Sequence, residues 1–296
     1  MSIKVSGFTF IKNGLTLGYP IKESIESISP LCDEVVINVG YDEPGLEKDD
    51  GTYEYLRDNF TESKYKFLKS LWNPEQTSKG IVLSEQTNIA LNKCSGDICQ
   101  YIQGDEVIHE DDLVFIEQGV KDLTDDVNLQ GLIYNYIHFY GNIDIYKYTR
   151  NIYRREVRTI KNNKNIKSWL DAQGFRYQDG SKINAKLINA RIFHYGWARE
   201  EQLMDKKIGQ FDKLYHGKDH VNKDKFTYNK IYGLKKFTKT HPGNMSEWIE
   251  KNRNSVDIMK MKSTYKFKDL GLAISDLIEY VTDYRMGEFK NYKKVK

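Results

Sequence analysis

The sequence predicts an α/β fold in which a parallel sheet is covered by helices on both faces. Three observations support this prediction: apolar runs alternate with helical patterns between residues 3 and 102, several of the runs are largely apolar, and most end at a glycine or a polar residue. Largely apolar runs are typical of strands buried on both faces, and strands that alternate with helices are typical of β/α/β units.

The first strand and helix are predicted at residues 3–11 and 20–28. The strand alternates and then becomes apolar until Asn13 and Gly14 interrupt it, which indicates a loop at its carboxyl end. In the helix, isoleucines recur at helical spacing, Pro20 suits the first turn, and a Ser-Pro pair ends the pattern. The two segments therefore begin a β/α/β unit.

The same pattern then repeats along the chain. A second strand is predicted at residues 35–39, ending beside Gly40, and a third at residues 65–72. Residues 80–93 place apolar side chains on one helical face, and residues 98–102 predict a further strand. The loops after the first, second and last of these strands are expected to lie together, because open α/β sheets bind ligands outside the carboxyl ends of their strands.

After residue 125 the pattern changes. Segments rich in tyrosine and β-branched residues predict further strands, and from about Arg199 the chain becomes lysine-rich and helical. Residues 268–284 form the clearest amphipathic helix, with apolar side chains at helical spacing. These patterns predict a main domain at residues 1–200 and a helical, lysine-rich extension at residues 201–296 that packs on it.

Composition limits the class of protein. The chain has 296 residues, of which 39% are hydrophobic and 13% aromatic, and this excludes a disordered chain. Its net charge of +3 indicates no polyanionic partner for the chain as a whole. Cys32, Cys94 and Cys99 show no CxxC spacing and predict buried, reduced thiols. No apolar run approaches the ~20 residues that cross a bilayer, so a cytoplasmic location is predicted.

Two acids stand at the end of the last of these strands. After Ile102 come Gln103, Gly104, Asp105 and Glu106, so the strand delivers carboxylates to the edge of the sheet. Mg²⁺ and Mn²⁺ prefer oxygen ligands and leave room for substrate phosphates, which makes this loop a candidate metal site. An acidic pair in a loop is more often a solvated turn. Glu106 has two interpretations, an acid behind the site or a solvent-facing residue.

Four stretches of sequence carry a resemblance to a known family. They are FTFIKNG, DEVVINVGYDEPG, GIVLSEQTNIALNKCSGDICQYIQGDE and IFHYGWAREEQLMDKK. Their order resembles that of the motifs in family 2 glycosyltransferases, which have the Rossmann-like GT-A fold, over about residues 3–210. The chain departs from the family at Gln103, where the usual D-x-D motif has its first aspartate. The motif becomes Q-G-D-E, and the aspartate that aligns with the family's metal-binding acid is Asp105.

The resemblance implies an enzyme that moves a sugar from a nucleotide-diphosphate sugar, with a UDP-sugar favoured, to an acceptor hydroxyl. It implies an inverting reaction assisted by Mn²⁺ or Mg²⁺. The acceptor it implies is a glycan, a lipid-linked sugar, a protein or a modified nucleic acid. Two alternatives stay open: a nucleotidyltransferase of similar fold, and a non-catalytic protein that binds nucleic acid or glycan through arginine and tyrosine residues.

The resemblance also implies roles for individual residues. The metal ligands are Asp105 and His194, and Asp42 contacts the nucleobase. The other residues expected to bind the nucleotide sugar are Lys12, Asn13, Lys79, Gln86, Gln103, Gly104 and again Asp105. Each has an ordinary structural alternative: Asp42 suits a turn, His194 suits a hydrogen-bonded structural histidine, and the helix near Lys79 needs only its apolar face.

The catalytic base is predicted in the second half of the chain. Asp171 follows a bulky Trp-Leu pair, which would exclude water and raise its pKa, and Gly174 permits a tight turn nearby. The alternative for Asp171 is a cap or turn position. Asp144, in a segment flanked by tyrosines, is the competing candidate for the base.

Three further residues are expected to contact the acceptor or a phosphate. Arg150 and Arg154 lie in a segment where arginine and tyrosine alternate, which suits an anionic partner. Solvated or paired arginines on a strand are the alternative. Trp197 follows a glycine after His194 and is expected either to line the acceptor side or to pack in the core.

Overall fold

A computed structural model describes residues 3–73, 80–216, 225–282, 284–285 and 290–295. Within these ranges the fold is a mixed α/β structure with a large central sheet, as the sequence predicts. The strands are β1 (Val5–Ile11), β2 (Glu34–Tyr41), β3 (Tyr65–Leu71), β4 (Ile98–Tyr101), β5 (Glu106–Ile108), β6 (Gly131–Tyr140), β7 (Asn142–Lys147), β8 (Arg155–Lys161), β9 (Ile166–Trp169), β10 (Gly174–Tyr177), β11 (Asn184–His194), β12 (Leu234–Lys236) and β13 (Lys293–Val295). The α-helices are α1 (Ile21–Ile28), α2 (Thr52–Asn59), α3 (Ile81–Leu91), α4 (Leu113–Asp125), α5 (Glu201–His216), α6 (Ser246–Asn252) and α7 (Asp269–Thr282).

The first four strands form the parallel part of the sheet, in the order β3–β2–β1–β4. Every residue of β2 is buried, because helices cover both faces of the sheet. Val35 and Ile37 share a core with Ile25 of α1, whereas Val36 shares the core of the opposite face with Ala90 of α3. This alternation of partners is the period-two geometry of a strand covered on both sides.

The strand order changes direction between β1 and β4. From β1 the chain builds outward to β2 and β3 on one side, and then places β4 on the other side of β1. In open α/β sheets such a point has a crevice outside the carboxyl ends of the strands, where ligands bind. Lys12 and Asn13 follow β1, and Gln103 and Asp105 follow β4. The topology therefore brings both loops to one crevice.

The second half of the chain extends the sheet mainly with antiparallel strands. β8 pairs with β4, β6 with β8, and β7 with β6, all antiparallel. β11 then pairs parallel with β6 and antiparallel with β5. In this register His194, the last residue of β11, stands beside Glu106 on one side and His138 on the other. Long-range strand pairing thus carries His194 to the acidic loop.

The chain after residue 200 contains helices, as predicted, and it also contributes strands. The amphipathic helix expected at residues 268–284 is α7. β12 pairs with β7, and β13 pairs with β11, so this part of the chain joins the central sheet. Three-residue strands were not predicted, because an alternation signal needs about four residues or more. The division of the chain at residue 200 stays a prediction.

The three cysteines agree with the sequence-based expectation. Cys32, Cys94 and Cys99 are all buried, and none forms a disulfide. In the ranges described above, no helix combines the length and the apolar character needed to cross a bilayer.

Candidate active site

A cavity of about 980 Å³ lies at the crevice beyond β1 and β4. It gathers many of the residues that the sequence analysis singled out. Those that line it are Lys12, Asn13, Asp42, Gln103, Gly104, Asp105, Asp171, His194 and Trp197. A cavity of this size at the point where the strand order reverses is the usual position for a ligand site in an α/β fold.

Asp105 stands at the centre of a charged cluster in this cavity. Its Oδ2 accepts a hydrogen bond from the ammonium of Lys207 on α5 at 3.1 Å, and the Nε2 of His194 lies 3.5 Å from the same oxygen. The Lys207 ammonium also donates to the carbonyl oxygen of Gly196 at 3.0 Å. All three side chains are largely buried, so water screens their interaction only weakly.

The cluster keeps Asp105 ionised. Burial by itself would raise the pKa of this carboxyl group, but the charges of Lys207 and His194 and their hydrogen bonds lower it well below its ordinary value. By linkage, ionised Asp105 stabilises the folded state above the pKa that it has in the unfolded chain. That contribution is lost as the pH falls through the lowered pKa of the folded state.

A second histidine orients His194. The Nε2 of His138 lies 2.7 Å from the carbonyl oxygen of Tyr153, which can only accept, so this nitrogen carries a proton. Burial, followed by the charge of His194, holds the pKa of His138 well below its ordinary value, and its Nδ1 therefore accepts. The partner of that Nδ1, at 3.2 Å, is the Nδ1 of His194, which must donate. The Nε2 of His194 is left to face Asp105.

This arrangement determines which cations the cluster can hold. The Nε2 of His194 either donates a proton to Asp105 or, in the neutral ring, offers a lone pair to a metal ion. Neighbouring ligands of a Mg²⁺ or Mn²⁺ ion at about 2.1 Å stand about 3 Å apart, close to the 3.5 Å between Nε2 and Oδ2. In the described part of the chain no third His, Cys, Asp or Glu completes the set, so the remaining ligands of such an ion would be phosphate oxygens and water.

Gly196 allows the three side chains of the cluster to meet close to the backbone. A Cβ atom at this position would lie 2.3 Å from the Oδ2 of Asp105 and 2.9 Å from the Nε2 of His194. It would also lie 2.6 Å from the ammonium of Lys207. Any side chain here would displace the charged groups, so the glycine is what allows them to meet. By the chemistry of their donor atoms, Asp105 and His194 fit a divalent ion as two of its ligands.

A second polar group in the cavity lies at the ends of β1 and β2. Lys12 forms an ion pair with Asp42, and its ammonium stands 5.6 Å from the centre of the Trp72 ring. Asn13 has a positive φ of 53°, and its side-chain amide donates to Gln210 on α5 at 3.3 Å. This edge of the cavity thus combines the indole of Trp72 with the charged groups of Asp42 and Lys12. Such a combination suits a ligand with a flat ring and polar edges.

Asp171 lies on a strained loop that reaches the same cavity. Its two neighbours, Leu170 and Ala172, have φ values of 51° and 59°, in the left-handed region that non-glycine residues rarely adopt. Such strain persists only where surrounding contacts impose it, and it is concentrated at functional sites. Burial raises the pKa of Asp171 above its ordinary value despite two backbone hydrogen bonds that lower it.

Three contacts hold this loop in place. The side-chain amide of Gln103 donates to the carbonyl oxygen of Ala172 at 3.4 Å. Asn88 on α3 accepts from the backbone N–H of Ser168 at 2.8 Å. The guanidinium of Arg158 donates to the carbonyl oxygen of Gln173 at 2.9 Å. Gln103 therefore supports the loop that carries Asp171, in addition to lining the cavity.

Glu106 is the acid behind the site, and the solvent-facing interpretation is wrong. It is fully buried and forms a bidentate pair with the fully buried Arg158, at 2.8 and 3.0 Å. The hydroxyl of Tyr136 also donates to it at 2.8 Å, and the Arg158 guanidinium lies between the rings of Tyr136 and Tyr101. Arg158 is thereby excluded from contact with an external anion.

We expect Glu106→Gln to lower the free energy of unfolding by about 3 kcal/mol or more, because it leaves the Arg158 charge buried without a counterion. Urea unfolding monitored by circular dichroism measures this. The control is Asp122→Asn, which removes the partner of Lys186 in a pair at the protein surface and should cost less than about 1 kcal/mol. Equal losses in the two variants would contradict the assignment of a buried, supporting pair.

Several predicted residues lie outside the cavity. Asp144 is exposed and pairs with Arg253 at 3.0 Å. Gln86 is buried, and its amide donates to the carbonyl oxygen of Leu71 at 2.9 Å, which ties α3 to β3. Arg154 pairs with Glu279 on α7. Neither Arg150 nor Arg154 lines the cavity, and Lys79 lies outside the described residues.

The sequence analysis missed two residues of the cluster, Lys207 and His138. Lys207 belongs to a lysine-rich helix, and no local signal distinguishes it from its neighbours. His138 lies in a strand. There the alternation of side chains predicts whether a residue is buried, but not which residue it contacts. A search for a second histidine in a strand-like segment would have found His138, but the pairing of β6 with β11 is what makes it relevant.

Comparisons with known proteins give matches only among solved structures. No family model matches the chain, and neither does any curated protein. Glucosyl-3-phosphoglycerate synthase from Mycobacterium tuberculosis, in complex with Mn²⁺, uridine diphosphate and phosphoglyceric acid, is 20% identical. The match covers 46% of this chain and 44% of that one, with a TM-score of 0.31.

Two other solved structures are similar to the same degree. A mannosyltransferase from Pyrobaculum calidifontis in complex with GDP-Man and Mn²⁺ is 20% identical over 47% of this chain and 36% of its own, with a TM-score of 0.32. Staphylococcus aureus TarS in complex with UDP is 17% identical over 46% and 36%, with a TM-score of 0.30. This chain thus spans less than half the length of each structure. Similarity at this level does not identify a function.

Proposed function

We propose that this protein transfers a glycosyl group from a nucleotide-diphosphate sugar to an acceptor hydroxyl, with inversion and with metal assistance. One observation carries the proposal. A single cavity at the reversal point of the sheet combines the Asp105–His194–Lys207 cluster with a partly buried carboxylate, Asp171, on a strained loop. Cationic groups beside a leaving diphosphate and a base beside an incoming hydroxyl are the two requirements of this reaction.

The cluster would bind the diphosphate of the donor. As the bond between the anomeric carbon and the diphosphate oxygen breaks, negative charge grows on the leaving group, and the Lys207 ammonium, which lines the same cavity, would stabilise it. Asp105 and His194 would hold Mn²⁺ or Mg²⁺, which when bound acts as a Lewis acid towards phosphate oxygens. The imidazole ligand favours Mn²⁺ over Mg²⁺.

The nucleoside would bind at the other polar group of the cavity. The Trp72 ring offers a face for stacking a base, and Asp42 can accept a hydrogen bond from the N3–H of uracil, which favours a UDP-sugar. Lys12 and Asn13, at the end of β1, would contact the same nucleotide. To bind the base, Asp42 must either break its ion pair with Lys12 or accept hydrogen bonds from Lys12 and the base together.

Asp171 would act as the general base. It takes the proton from the acceptor hydroxyl while that oxygen forms its bond to the anomeric carbon on the face opposite the diphosphate, and the electron pair of the broken bond leaves with the diphosphate. Trp197, which lines the cavity, is proposed for the acceptor side. The acceptor is proposed within the class of glycans, lipid-linked sugars, proteins and modified nucleic acids.

Thermal unfolding with a panel of nucleotides tests this proposal. UDP or GDP with Mn²⁺ should raise the melting temperature, because a ligand that binds only the folded state stabilises it by mass action. The same nucleotide without metal should have a smaller effect. Stabilisation by oligonucleotides, with no response to any nucleoside diphosphate, would instead support a nucleic-acid-binding protein. Hydrolysis screened over several nucleotide sugars then identifies the donor.

We expect His138→Phe to weaken Mn²⁺-dependent UDP binding by about 10- to 100-fold, the range for loss of a group that orients a metal ligand. Phenylalanine keeps the ring that packs against Tyr136 and Tyr153 but cannot accept the hydrogen bond of His194. Titration calorimetry of UDP at fixed Mn²⁺ measures the change. His241→Phe is the control, since His241 is also packed among aromatic rings but does not line the cavity.

If both histidine variants bind UDP as the wild type does, His138 has no role in orienting His194. If both lose binding together with melting temperature, the effect is one of folding. Only a selective loss in His138→Phe, with an unchanged melting temperature, fits the assignment.

A further inference from the structure

Helix α7 turns its apolar face away from the protein. Leu270, Ile274, Leu277 and Val281 recur at helical spacing, which predicts a buried stripe, yet they are 57, 56, 63 and 73% exposed. Aromatic residues near its two ends add to this surface, since Phe267 and three tyrosines are also exposed. The exposed apolar residues of this region, named here the α7 face, are Tyr265, Phe267, Leu270, Ile274, Leu277, Tyr280, Val281 and Tyr284.

Polar contacts fix the helix in this orientation. Ser275 is fully buried, and Glu279 pairs with Arg154 of the segment before β8. The carboxyl group of Asp276 lies near the hydroxyl of Tyr232. The side of the helix that faces the protein carries these polar groups beside the partly buried Leu272, and rotation to bury the apolar stripe would break the polar contacts. Arg154, which the sequence analysis assigned to an acceptor or phosphate, serves this attachment.

The exposed charges that the structure describes between residues 261 and 282 have one sign. Between Met261 and Thr282, the exposed charged side chains are Lys262, Lys266 and Lys268. The three acids in this range are partly buried: Glu279 and Asp276 face the protein, and Asp269 accepts from the backbone N–H of Lys266 at 2.7 Å. An apolar surface with lysines at one end, and with no exposed acid among the described residues 261–282, is complementary to a surface that is apolar inside and negatively charged outside.

We propose that the α7 face binds an anionic lipid membrane, with the helix lying in the plane of the interface. Amphipathic helices with lysine beside their apolar face bind in this way, and exposed tyrosine side chains suit the level of the lipid headgroups. The lysines also favour an anionic surface over a second copy of this chain, because an identical face offers them no exposed acid between residues 261 and 282. The proposal is independent of the proposed glycosyl transfer.

Co-sedimentation with lipid vesicles tests the proposal on the full-length chain. The wild type should sediment with vesicles of phosphatidylcholine and phosphatidylglycerol, and much less with phosphatidylcholine alone. The triple variant Leu270→Gln, Ile274→Gln, Leu277→Gln should lower the partition coefficient by about 10²-fold or more, since it removes the apolar groups that enter the interface. The triple variant Lys262→Glu, Lys266→Glu, Lys268→Glu should lower it by at least about 10²-fold on anionic vesicles.

The matched control is Val114→Gln with Val127→Gln, which changes two exposed apolar residues elsewhere on the surface and should leave binding unchanged. Because all substituted side chains are exposed, each variant should melt close to the wild type. Failure of the wild type to bind anionic vesicles would overturn the proposal, as would full binding by both triple variants. A wild-type dimer in light scattering that the leucine and isoleucine substitutions convert to monomer, without vesicle binding, would show instead that the α7 face joins two copies.

Discussion

Asp105→Asn is expected to lower glycosyl transfer by about 10³-fold and to remove metal-dependent nucleotide binding, while the fold is retained. Asp105 is the acceptor for Lys207 and the carboxylate opposite His194, so it holds both side chains in place. Asparagine preserves the shape of the side chain but removes its charge. A divalent ion then loses its charged protein ligand, and Lys207 loses its counterion in a buried setting.

Calorimetric titration of UDP with and without Mn²⁺, together with turnover of the donor, measures this loss. The matched control is again Asp122→Asn, which removes a lysine-paired aspartate at the surface. Wild-type UDP affinity in the presence of Mn²⁺ would refute the assignment of Asp105. The variant should also be less stable than the wild type at neutral pH, and this difference should shrink on acidification, because the pKa of Asp105 is lowered in the folded state.

Asp171→Asn is expected to lower transfer by about 10²- to 10⁴-fold, the range for loss of a general base, with donor and metal binding unchanged. Its carboxyl group lines the cavity but takes no part in the Asp105 cluster, so binding and proton transfer should separate. Burial raises the pKa of Asp171, and the base works only when ionised. In the wild type, kcat/KM should therefore fall with decreasing pH at values above those of an ordinary aspartate.

Asp144→Asn serves as the matched control for the base. Asp144 is exposed, pairs with Arg253 and does not line the cavity, so its replacement should leave transfer near the wild-type rate. If transfer survives in Asp171→Asn and collapses in Asp144→Asn, the two roles must be exchanged. If both variants transfer normally, the proposed inverting mechanism is wrong.

Local sequence was sufficient for β1, α1, β2, β3, α3 and β4, but it did not predict the helices α2 and α4. The apolar run from Val35 to Val39 and the isoleucine spacing in residues 20–28 predict β2 and α1, because burial on a strand or a helix imposes its own period on the chain. Glycine and polar residues marked the ends of β1 and β4. From these ends, the topology of an open α/β sheet predicts the edge at which the cavity lies, and it places Asp105 there.

Only the tertiary structure decided which distant residues join that edge. The pairing of β11 with β5 and β6 places His194 between Glu106 and His138, and packing of α5 brings Lys207 to Asp105. Sequence periodicity reports that a side chain is buried, but not which partner it meets. The same limit explains α7: its apolar stripe is plain in the sequence, yet the Arg154–Glu279 pair turns that stripe outward. Contacts between residues far apart in the chain depend on how whole elements pack, and local patterns do not encode this.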